Sequence, residues 1–258
     1  MNELQHPLTF YSIPHLALLA VSWSAAVFFA VFFSRKYGYT KKIVWGCLFA
    51  ALLCEFEKIN FFIKDTGDGF RLPAEQLPFN LCTLQIFFIT ILALSESPLK
   101  RKELISFMFP ALIAGAFAGM VIPSATFKYH GLADLATYRY FFYHGMLIFL
   151  GLYLFLSKPI QFTIKSFGIA SLGICLLVIL GVWINAFFGW SPETNFCFFV
   201  RPPIEGLPIL NMKNGWLAYV LSQGWIAVML FFFCYLPVII KETPGLIKSV
   251  FGNRGRRK

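Results

Sequence analysis

The stretch IKSFGIASLGICLLVILGVWINAFFG, residues 164–189, decides the fold. From Ser166 to Gly189 it runs 24 residues without a charged side chain. A helix rises about 1.5 Å per residue and the hydrocarbon core of a bilayer is about 30 Å thick, so about 20 such residues cross it. Working outward, six further apolar runs lie at 13–34, 42–63, 78–95, 104–122, 138–157 and 216–240. The 258-residue chain therefore reads as an all-α polytopic membrane protein. Its seven transmembrane helices are expected to form a single integral membrane domain over residues 1–258. Composition agrees. The chain is 58% hydrophobic, with 32 Phe, and only 13% charged, where soluble domains are about a quarter charged. That excludes an ordinary soluble enzyme. The opening Met1-Asn2-Glu3-Leu4-Gln5-His6 has no basic leader, so no cleaved signal is expected.

In a soluble protein the net charge of +10 would suggest nucleic acid. Sorted by connection, it reports topology. Arg35, Lys36, Lys41 and Lys42 follow the first run, Lys100, Arg101 and Lys102 the third, and Lys158 and Lys165 the fifth. With the tail after the seventh run, these segments hold 15 of the 22 Lys and Arg. Net charge is +12 on that side, −1 on the other and −1 within the spans. By the positive-inside rule the amino terminus faces outside and the carboxyl terminus is cytoplasmic. The basic tail then reads as an anchor on anionic lipid and not as a nucleic-acid arm.

Polar groups inside spans are expensive, and here they gather at one depth. Glu55, Glu57, Lys58 and Asn60 lie near the outer end of the second run; Asn80, Cys82, Thr83 and Gln85 lie in the first two turns of the third. His144, Asn185 and Gln223 sit four to seven residues from the outer ends of the fifth, sixth and seventh. The inner halves of these runs carry almost nothing comparable, which points to a buried polar site opening outward. Helix phase pairs Glu55 with Lys58 as a structural ion pair and sets Glu57 and Asn60 on another side. Gly115 and Gly119 read as a helix contact through small residues.

The six cysteines show no paired spacing, so neither a disulfide framework nor a zinc site is indicated, and no metal or cofactor is expected. Cys82 stands apart. It follows Leu77-Pro78, a good helix start, and a helix amino terminus favours a thiolate. His144, at matching depth, is a candidate base, and such a pair suffices for nucleophilic acyl transfer. The plain alternative is that both are packing residues, with His144 bonded to a neighbouring tyrosine. Thr83 is a further conceivable nucleophile. The last run has no Lys, which argues against a retinal Schiff base.

Several segments carry a resemblance. Leu77-Pro78-Phe79-Asn80-Leu81-Cys82, Phe141-Phe142-Tyr143-His144-Gly145, Asn185, Thr194-Asn195-Phe196, Arg201-Pro202-Pro203 and Trp216 occur in that order. Together they resemble the YwaF-type bacterial integral membrane proteins, related to the transmembrane protein 164 acyltransferase family, from about the second span to the seventh. The resemblance implies transfer of a fatty acyl chain onto a lyso-phospholipid, with Cys82 and His144 as the catalytic pair, in a bacterial plasma membrane.

The expected function is thus a membrane-embedded lipid acyltransferase or lipid-ester hydrolase of the outer leaflet, working through a thioester on Cys82. Asn80, Gln85, Asn185 and Asn195 are candidate oxyanion donors, and Asn195 with Arg201 is a candidate phosphate holder. Membrane lipids are the expected partners, with no nucleic acid. The alternative is a transporter or receptor in which Glu57, Asn60, Gln223 and His144 bind a small polar ligand in the outward-facing cavity. The absence of internal repeats and the depth of the polar layer above the midplane favour the enzyme.

Overall fold

The computed structural model describes residues 11–65, 69–121, 131–191, 194–202 and 209–252. Lys128, Pro203 and the basic tail from Arg254 to Lys258 lie outside these. Seven helices carry the fold: α1 (Ile13–Tyr37), α2 (Lys41–Phe62), α3 (Leu81–Leu94), α4 (Lys102–Val121), α5 (Leu135–Ser157), α6 (Ile164–Phe187) and α7 (Trp216–Gly252). Among the described residues the only strands are a two-residue antiparallel pair, β1 (Lys64–Asp65) and β2 (Phe70–Arg71), just after α2.

The helix starts follow local chemistry. Ser12, Thr40 and Asp134 each accept a backbone N–H of the first turn, and Thr163 with Ser166 forms a capping box on α6. The third helix begins later than the sequence suggests. Leu77 to Asn80 stays extended or turned, Asn80 is the residue before the first turn, and α3 is only 14 residues long.

α1, α4, α5, α6 and α7 are long and apolar enough to cross a membrane. The expectation of seven such spans is met by five on these criteria. α2 carries Glu55, Glu57 and Lys58 toward one end, and α3 is too short at about 1.5 Å per residue. Many large apolar side chains point away from the bundle, among them Phe28, Phe49, Leu172, Trp183 and Phe233. The chain is a membrane protein built from helices.

α2, α3, α4 and α5 pack in a closed ring, each against the next, and α5 closes it on α2. α1 lies outside against α5, while α6 and α7 pack on the far side of α4 and on each other. α4 is therefore a wall shared by two bundles, and far more of it is buried than of α1. Within it, Pro110 has no N–H to offer the Ser106 carbonyl one turn back. Tyr235 of α7 supplies the missing donor, its hydroxyl reaching that carbonyl at 2.9 Å. Gly151 brings α5 close to this point, since a side chain there would meet Ile113 at 2.7 Å and the Phe109 carbonyl at 2.9 Å.

Candidate functional site

Cys82 is the second residue of α3, in its first turn, and is half-buried. Thr83 beside it donates its hydroxyl to the Asn80 carbonyl at 3.0 Å. The Cys82 sulfur faces α4 at Gly115, where a Cβ would lie 3.8 Å from Sγ and 3.0 Å from the end of Leu81. The Cys82 carbonyl accepts the Tyr143 hydroxyl of α5 at 2.9 Å. α3 and α5 sit opposite each other in the ring, so this bond crosses its interior.

His144 lies one residue along α5 and is 7% exposed. Its Nδ1 stands 2.8 Å from the Tyr140 carbonyl. A carbonyl only accepts, so Nδ1 carries the hydrogen and the neutral ring keeps its lone pair on Nε2. That nitrogen faces α4 at Gly119, where a Cβ would lie 3.1 Å away. The Tyr140 hydroxyl bonds the Gly119 carbonyl, and the Tyr140 and His144 rings pack with centroids 4.2 Å apart. Gly115 and Gly119 are one turn apart, positions whose side chains stand about 5–6 Å from each other on a helix. Sγ and Nε2 thus face the same stripe of α4, one turn apart, and no hydrogen bond joins them directly. The lack of side chains at 115 and 119 is what leaves both atoms room.

A second buried histidine shows the contrast. His15 of α1 is fully enclosed; its Nδ1 accepts the Tyr11 N–H at 3.0 Å and its Nε2 donates to the Met120 carbonyl at 3.1 Å. Both nitrogens are committed, Nε2 to holding α1 against α4 and Nδ1 to the backbone just ahead of α1. The sequence reading passed over His15, and only its depth in an apolar run could have flagged it.

The polar layer divides in two. On the ring side, Lys58 reaches Glu55 at 2.6 Å, as helix phase suggested. Glu57 pairs instead with Arg139 of α5 at 3.1 Å, and Asn60 is exposed. Gln85 is fully buried one turn along α3 from Cys82.

On the other side, residues 195–201 fold down over the start of α3. Asn185 accepts the Phe196 N–H and donates to the Phe196 and Gly181 carbonyls. Asn195 accepts the Val200 and Arg201 N–H groups and donates to the Arg201 carbonyl. Asn80 accepts the Cys197 N–H at 2.9 Å. Gln223 donates to Tyr219 and to the Phe198 carbonyl, and Trp216 donates to the Phe199 carbonyl. Cys197 and Phe198 hold left-handed φ values of 52° and 60°. The Cys197 thiol donates to the Phe79 carbonyl at 3.4 Å. The Arg201 side chain is exposed.

All six cysteines are free thiols, and among the described residues no cluster of His, Cys, Asp or Glu is suited to hold a metal. No match is found among curated proteins or among solved structures. The model of the TMEM164 family, however, matches residues 10–235, taking in all the site elements above. Since that match spans most of the 258 residues, the chain belongs to the TMEM164 family.

Proposed function

We propose that this protein is a lipid acyltransferase or lipid-ester hydrolase of the plasma membrane, working in the outer leaflet through Cys82 and His144. One observation carries the reading: the free Nε2 of His144 and the sulfur of Cys82 face one stripe of α4, at two glycines one turn apart. His144 Nε2 takes the Cys82 proton, and the sulfur forms a C–S bond at an acyl ester carbonyl. The C–O bond to the glycerol oxygen breaks, and that oxygen receives the proton back from His144. A lyso-lipid hydroxyl or water then repeats the sequence on the thioester.

Seven spans are part of the reading, with the amino terminus outside. α3 counts as a span because its missing outer turns are replaced by 77–80 and 195–201, irregular backbone that is tolerated at membrane depth when protein surrounds it. Its first turn then lies below the outer surface, where an ester carbonyl of a phospholipid sits.

Protein incubated with phospholipid carrying a labelled acyl chain should acquire hydroxylamine-sensitive label on Cys82. Cys82→Ala and His144→Ala should both abolish lipid turnover, and turnover that persists in both sinks the reading. For topology, Lys36→Cys in a cysteine-free background should react with an impermeant maleimide only after the membrane is opened.

A further inference from the structure

Gln85 is fully buried, and neither its Oε1 nor its Nε2 has a hydrogen-bond partner. Among the described residues it is the one side chain with two buried polar atoms idle. Trp23, Ser157 and Ser171 each leave a single atom unused, and Gln223 has its amide nitrogen engaged. A buried amide without partners is costly, the more so in an apolar bundle. Side chains at i and i+3 on a helix are neighbours, about 60° apart in phase, so Gln85 stands beside Cys82 on the stripe of α3.

Two of the other candidate donors are committed: Asn185 and Asn195 spend their amide nitrogens on backbone carbonyls of 181–201, while Asn80, outside the helix, uses its oxygen to accept the Cys197 N–H. The Asn185 and Asn195 bonds hold the outer segment in place, so freeing either would dismantle it.

We propose that Gln85 is the oxyanion donor of the site, a role that rests on the Cys82–His144 reading. As Sγ bonds to the ester carbon, the carbonyl π pair moves onto oxygen, and the Gln85 N–H donates to that oxygen. When the intermediate collapses, the pair returns, the C–O bond to glycerol breaks, and the leaving oxygen takes the proton from His144 Nε2. The idle amide is thus kept for a group that exists only during reaction.

The test is Gln85→Met, a change of similar length that removes the amide. The Tm of purified protein should hold or rise, because an unpartnered buried dipole is gone. The single-turnover rate of thioester formation on Cys82 should fall about 100-fold or more, with KM for the phospholipid little changed. A rate within about threefold of wild type overturns the role for Gln85 alone, leaving the Cys–His pair standing. A Tm well below wild type also overturns it, since the amide would then be holding the bundle. If wild type forms no adduct on Cys82, the underlying reading and this role fail together.

Discussion

Tyr143 of α5, one residue before His144, donates its hydroxyl hydrogen bond across the ring to the Cys82 carbonyl on α3, 2.9 Å away. The bond ties the helix that carries the thiol to the helix that carries the imidazole, so it fixes their relative height. The carbonyl already has a helical partner, so Tyr143→Phe should cost only about 1 kcal/mol of stability. Thioester formation should slow by more than that stability loss accounts for. Denaturant unfolding in detergent, alongside acylation rates, checks both.

Gly119→Ala should act on chemistry before stability. The added methyl would stand 3.1 Å from His144 Nε2 and 3.2 Å from Cδ2 on a ring pinned by the Tyr140 carbonyl. Turnover should drop about tenfold or more, a barrier increase of about 1.4 kcal/mol. Gly115→Ala meets instead the flexible end of Leu81 at 3.0 Å, with Sγ at 3.8 Å, and should be milder. Equal effects of the two in a turnover assay would contradict the geometry.

Glu57 pairs with Arg139 at 3.1 Å, with the arginine side chain 13% exposed. Glu57→Gln leaves that guanidinium without its countercharge and should destabilise by about 1–3 kcal/mol, less than for a fully buried pair because Glu57 is partly open. Adding Arg139→Gln should recover part of the loss. A double-mutant cycle measures the coupling.

Tyr235→Phe should lower stability by about 1–3 kcal/mol, because the Ser106 carbonyl freed by Pro110 loses its replacement donor inside the bundle. Combining it with Pro110→Ala, which restores a backbone donor, should make the Tyr235 change nearly silent in thermal unfolding.

The apolar runs made all seven helix starts legible to within three residues, because a bilayer allows little else over such lengths. α3 starts late for a specific reason. Leu77-Pro78 suits a helix start, yet Asn80 takes the boundary position because its side chain is drawn to Cys197, far away in the chain. Gly115 and Gly119 were read correctly as a close contact, but what they approach was invisible until α3 and α5 were placed against them. Depth alone brought Cys82, Gln85 and His144 together. It also brought in Asn185 and Gln223, whose hydrogen bonds show a different task. The bond from Tyr235 to the Ser106 carbonyl that Pro110 leaves free crosses 129 residues, and no local pattern encodes it.

The segment 195–201 is gripped by Asn80 ahead of α3, by Asn185 on α6 and by Trp216, Tyr219 and Gln223 on α7. Two consecutive non-glycine residues in left-handed backbone cost about 1–3 kcal/mol each, so the segment does not take this shape unaided. It closes only when its last grip, the final helix, has been delivered. For a chain threaded into the bilayer helix by helix, insertion and sealing are therefore separate events in its biogenesis.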